Sequence, residues 1–168
     1  MIRSTPSGNI VTFPDESPNL IRLLIQYFYG ADYEPYILAN TELDSDLEAE
    51  REASTAYEYT GEIITHVQMF TLGCKYSVDG LQELVVEKFH QACQRFWYTD
   101  DFEKVAEAVV LREHEKLESL RMAIVDTVAK HPELWKKMWA RTLFEKAEGF
   151  ETEVLKRRIK KYMYLEQG

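Results

Sequence analysis

From Glu62 onwards apolar residues return every three or four positions, and this period constrains the fold more than any other feature of the chain. Ile63, Val67, Phe70 and Cys74 form the first series, and Leu81, Leu84, Val85, Phe89, Cys93 and Phe96 the second. Phe102, Val105, Ala106 and Val109 follow, then Leu117, Leu120, Ile124, Val125 and Val128. Pro132 opens a series with Leu134, Trp135, Met138 and Trp139, and a last helix is expected over 147–164 with Phe150, Val154, Leu155, Ile159 and Tyr162. Such spacing lines one side of an α-helix with apolar groups and cannot line a strand, whose period is two. Ahead of this region, "PNLIRLLIQYFYG" sets Leu20, Leu23, Leu24, Tyr27 and Phe28 on one face, widened by Ile21 and Ile25. Only "NIVTF", residues 9 to 13, alternates, and Gly8 and Pro14 bound it as a short strand. The expected fold is mainly α, an α+β remnant of one short strand with about seven helices.

Local chemistry marks the helix boundaries. Asp15 or Ser17 is placed to cap the helix that Pro18 begins, and Gly30 to end it. Asp79 with Gln82 three residues later has the form of a capping box, and Asp100 with Glu103 repeats it. The helix ending at His131 stops there because the residue before a proline resists helical geometry.

Charge is distributed unevenly. The chain of 168 residues carries a net −9, and residues 31 to 62 alone hold ten acidic side chains against one basic, Arg51. The remaining 19 acidic and 19 basic residues balance. The acidity is therefore a property of one segment, and it argues against nucleic acid there. Positions 34–60 within it lack an apolar period and combine acids with Ala, Ser and Thr, so they read as a long acidic loop that is poorly ordered or only locally helical. No apolar run approaches the roughly 20 residues of a membrane helix, and "MIRSTPSGNIVTF" has no signal-peptide core. A cytoplasmic or nuclear location is expected, with no membrane partner.

The residues that carry most enzyme chemistry do not assemble into a pattern. The seven glycines form no phosphate-cradling loop. Cys93 follows His90 by three positions, half of a metal motif, but both it and Cys74 lie in helical apolar series where a thiol serves as a small hydrophobe. His66, His90, His114 and His131 lack ligand spacing, and His131 reads as a helix-start residue. No serine or cysteine sits in a nucleophile motif. The basic tail "KRRIKKYMY" reads as a charged last helical turn. Neither catalytic, cofactor nor metal residues are assigned, and the partner-binding residues stay open.

Two segments together resemble BTB/POZ domains. "IVTFPDESPNLIRLLIQYFYGADY" is similar to the strand, proline-acidic turn and helix of that family, and "HVQMFTLGCKYSVDGLQELVVEKF" to the helical hairpin that follows. The matching residues of the hairpin are Lys75, Tyr76, Gly80, Leu81 and Phe89. The acidic insert and the helices after Trp97 look most like the fungal branch. The resemblance implies a partial BTB/POZ-like domain over 1–97, with its acidic insert at about 34–60, and a C-terminal helical extension over 98–168. It further implies a non-enzymatic protein–protein interaction module that dimerises or acts as an adaptor, with the family's first strands and helices missing. Members that recruit a cullin scaffold carry a hydrophobic-any-acidic triplet where this chain has Thr65-His66-Val67, which does not fit; a cullin partner is disfavoured. Two alternatives remain: a helical scaffold whose acidic loop binds a basic partner, and an enzyme with an unrecognised site. If the front of the domain is absent, part of the first helix's apolar surface faces water and drives self-association or recruitment of a protein partner.

Overall fold

The computed structural model describes residues 16–35, 61–112 and 115–165. It is mainly helical. Seven α-helices and no strand occur among the described residues. They are α1 (Pro18–Gly30), α2 (Glu62–Tyr76), α3 (Leu81–Phe96), α4 (Asp100–Val110), α5 (Glu118–Lys130), α6 (Met138–Lys146) and α7 (Phe150–Leu165), with single 3-10 turns at Glu115–Leu117 and Pro132–Lys136. The strand expected at 9–13 and all of the acidic insert except Glu34 and Pro35 lie outside the described residues.

The hairpin of α2 and α3 and the helix α5 form the centre. Along α3, Leu81, Val85, Phe89 and Cys93 repeat every fourth position and each is fully buried. This single ladder faces α5, whose Leu120, Ile124, Val125 and Val128 are equally inaccessible. On its other side α5 meets α7, which contributes Phe150 and Val154. Helix α4 lies against α2, α3 and α5, and buries Phe102, Val105, Ala106 and Val109 as its spacing requires. Polar links reinforce the α3–α5 contact: Gln94 Nε2 donates to Thr127 Oγ1 at 2.7 Å, and Lys130 Nζ donates to Gln94 Oε1 at 2.7 Å. Between the ends of these helices, Trp97 stacks on His131 with centroids 4.1 Å apart.

Several boundaries differ from the sequence reading, each for a local reason. Thr99, not Asp100, caps α4, because its Oγ1 accepts from Phe102 N at 3.3 Å while Asp100 is already helical. No capping box forms at Asp79; Gly80 occupies the cap of α3 with φ 77, a left-handed geometry that only glycine adopts without strain. Helix α1 runs through Gly30, and Ala31 takes the left-handed cap with φ 53, its N–H donating to Tyr27 O at 2.8 Å. Ser17 caps α1 with its backbone only, and Asp15 lies outside the described residues. Pro132 opens a 3-10 turn, and extended backbone at Lys137 separates it from α6. That break turns Met138 outward to 82% exposure, although its spacing suggested the core. The last helix starts at Phe150, after Gly149 with φ 72, not at 147. Its Leu155 and Ile159 are exposed, and Val154 is its last buried residue among those described.

Two arginines of the basic tail serve the fold. Arg158 donates to the carbonyls of Ala129 and Lys130 at 3.0 and 3.4 Å, which neutralises the C-terminal end of α5. Arg157 pairs with Asp126 at 3.2 Å.

Candidate interaction surface

Helix α1 carries two apolar stripes. Leu20, Leu23 and Leu24 are buried against α2, with Tyr27 partly covered beside them. A second stripe at i, i+3 and i+4 comprises Ile25, Phe28 and Tyr29, which are 50%, 63% and 92% exposed. A helix with apolar groups over more than half its circumference has more surface than one neighbour covers. The second stripe ends beside a cleft of about 780 Å³ between the C-terminus of α1 and the turn after α2, lined by Phe28, Tyr29, Tyr76, Val78 and Asp79 among others. One charged side chain, Asp79, lines it among the described residues.

Hydrogen bonds frame the cleft. Tyr27 Oη donates to the backbone carbonyl of Asp79 at 2.7 Å, which ties the end of α1 to the hairpin turn. Ser77 takes a left-handed conformation at φ 50, and Val78 N donates to Gly73 O at 3.0 Å, closing the end of α2. At Gly80 a Cβ would stand 2.8 Å from Tyr27 Oη, so the tyrosine anchor and a side chain there exclude each other. On the flank, Lys75 pairs with Glu16 at 2.6 Å; this hydrogen bond holds the ammonium above its ordinary pKa.

The constellation that most resembles catalytic machinery lies elsewhere and is sealed. Tyr33 Oη and His66 Nδ1 are 2.7 Å apart, and His66 Nε2 faces Glu62 Oε1 at 3.6 Å. Tyr33 and His66 are each 1% exposed, and Glu62 is 7% exposed. Burial pushes the Tyr33 phenol well above its ordinary value, an effect that Asp32, Glu62 and Glu34 add to. With the His66 proton on Nε2, Tyr33 donates to Nδ1 and Nε2–H points toward Glu62, so one tautomer serves both contacts. The trio fastens the chain just after α1 to the start of α2. Lys88 completes the clamp from α3: its Nζ is 2.8 Å from Asp32 Oδ1 and 5.3 Å from the Tyr33 ring centre. Lys88 also holds the Asp32 carboxyl below its ordinary pKa of 3.8. Sequence spacing gave no sign of this trio, because Tyr33 meets His66 across 33 positions.

Of the other residues singled out from sequence, His114 lies outside the described residues and the rest are dispersed. His90 is exposed on α3 while Cys93 points into the core, so that pair does not converge. Burial raises the Cys93 thiol, as suits a packing group. Of Thr65-His66-Val67, the middle residue is committed to Tyr33 and Thr65 Oγ1 donates to Gly61 O at 2.8 Å. Among the described residues no helix is long and apolar enough to cross a membrane. No protein-family model matches the chain, and no curated protein or solved structure matches it either.

Proposed function

We propose that the chain is a non-enzymatic protein-interaction module that self-associates through the Ile25, Phe28 and Tyr29 stripe of α1 and the adjoining cleft. The observation that carries this reading is the exposure of three large apolar side chains in one helical register. Contiguous apolar surface of this kind marks association sites. A second copy is the fitting occupant, because the stripe is uncharged and Asp79 is the sole charge among the cleft residues described. The stripe itself carries no charge to set against its own copy across a two-fold axis, despite the net −9 of the chain.

The BTB/POZ relationship belongs to the same proposal. Its support is the order of elements: a helix ending in aromatic residues, then a hairpin with Lys75-Tyr76 before a Gly80-Leu81 turn. A cullin-type contact through Thr65-His66-Val67 has little support, since His66 is 1% exposed and bonded to Tyr33. The competing scaffold reading, in which the acidic insert takes a basic partner, is separated by deleting residues 34–60. Partners lost on that deletion belong to the insert; association that survives belongs to α1.

Cross-linking tests the α1 contact. In a Cys74→Ser background, Tyr29→Cys should form a chain-to-chain disulfide under mild oxidation, and Tyr98→Cys, 67% exposed but remote in sequence and outside the cleft lining, should not. Equal cross-linking at both positions, or none at either, would overturn the proposal.

A further inference from the structure

The fold uses only part of the basic tail. On α7, Arg157 pairs with Asp126, and Arg158 donates to the end of α5. Lys156 and Lys160 are exposed and have no hydrogen-bond or ion-pair partner among the described residues. Positions four apart stand above one another on a helix, so these two lysines share a row. The adjoining row is Leu155, Ile159 and Met163, which are 40%, 57% and 60% exposed. That row is roughly 12 Å long. It faces away from the side of α7 that carries the buried Phe150 and Val154. Glu151 continues the apolar row at its N-terminal end. Glu153, the carboxylate nearest to Lys156 in sequence, is taken by Arg121 at 2.6 Å. Helix α7 therefore presents an apolar row edged on one side by two cations that the described fold does not use.

We propose that this face of α7 binds an acidic amphipathic helix of a partner protein, with the partner's apolar residues along Leu155, Ile159 and Met163 and its carboxylates on Lys156 and Lys160. Charge complementarity selects the occupant. Two unpaired lysines beside an apolar row favour carboxylates at that edge, and a straight row of residues four apart is the form along which a second helix packs. The α1 stripe of a second copy is uncharged and leaves both lysines unanswered. An anionic bilayer fits less well, because Glu151 lies in the apolar row and the unpaired lysines described stand on one side of it only. Two cations are few for nucleic acid, whose binding proteins make about 6–10 phosphate contacts. The net −9 of the chain opposes unspecific capture of an acidic partner, so binding has to come from this local arrangement. The site is distinct from the α1 stripe and holds whether or not the chain self-associates.

The test uses the full chain and a fluorescein-labelled helical peptide with leucines four apart and glutamates beside them. Wild-type protein should bind it, and Lys156→Glu/Lys160→Glu and Ile159→Asp should each weaken binding at least about tenfold. All three positions are exposed, so the variants should keep the wild-type helical signal. Lys104→Glu reverses a charge on α4, at a side chain 69% exposed, and should leave affinity unchanged. Exchanging the peptide's glutamates for glutamines, or its leucines for serines, should weaken binding by a factor similar to that of the α7 variants. No binding by wild type, equal binding by the α7 variants, no loss with either altered peptide, or a loss in Lys104→Glu as large as in the lysine pair would each overturn the proposal. So would stronger competition by phosphatidylserine vesicles than by unlabelled peptide. A carbodiimide cross-link from Lys160 to residues 34–60 in the free chain would also overturn it, by making the chain's own acidic segment the occupant.

Discussion

Helices α1 and α5 each contain 13 residues, and they meet opposite fates. Helix α1 has the richer apolar content in large side chains, with Leu20, Ile21, Leu23, Leu24, Ile25, Tyr27, Phe28 and Tyr29, yet it buries only three residues. Helix α5 is interrupted by Arg121, Asp126 and Thr127, yet it buries seven. The difference lies in neighbours. Helix α5 is flanked by α3, α4 and α7, so even Thr127 is buried, its Oγ1 donating to Ala123 O at 2.9 Å while it accepts from Gln94. Helix α1 has α2 as its principal described neighbour. Burial in this protein follows position in the packing order more than local hydrophobicity, and the surplus apolar face of α1 stays exposed among the described residues.

Large-to-small substitution sharpens the contrast most. Ile124→Ala in α5 should cost about 2–5 kcal/mol, because the site is fully enclosed and leaves a cavity. Ile25→Ala, at 50% exposure on α1, should stay within about 0.5 kcal/mol. Urea unfolding of the two variants measures this, and equal losses would erase the distinction between the helices.

A smaller loss is expected where α1 is tied down. Tyr33→Phe keeps the ring but removes the hydroxyl beside His66 Nδ1, leaving that buried nitrogen unsatisfied at a cost of about 1–3 kcal/mol. Hydrogen exchange of residues 31–35 should rise with it; unchanged stability and exchange would show that the trio is not a clamp. Gly80→Ala meets both a left-handed backbone and Tyr27 Oη, and should cost about 1–2 kcal/mol in thermal unfolding. Loss of the Tyr27–Asp79 contact should accompany it.

The least effect concerns Asp32. Its carboxyl is held below 3.8 chiefly by the hydrogen bond from Lys88. A depressed folded value stabilises the charged form above the unfolded pKa, and that contribution disappears as pH falls through the lower folded value. Lys88→Met should move the Asp32 titration, followed by NMR, up toward 3.8; an unmoved midpoint would remove Lys88 as its cause.

Sequence made the helices legible because each buries a stripe of regular period. The series Leu81, Val85, Phe89, Cys93 and the series Leu120, Ile124, Val125, Val128 are the core as found. Helix ends were less legible, since competing caps such as Thr99 and Asp100 stand one residue apart and backbone geometry decides between them. Met138 was misjudged because a single extended residue, Lys137, resets the helical phase. The Tyr33–His66 contact was invisible, as nothing local to either residue specifies a partner so distant in sequence.

Light scattering across a wide concentration range tests the central claim that the outer stripe of α1 is an association surface. Wild-type chain should show a mass rising above that of one chain as concentration increases, and Phe28→Asp/Tyr29→Asp should remain at the mass of one chain with its helical signal unchanged. A wild-type mass that stays at one chain throughout would contradict the account.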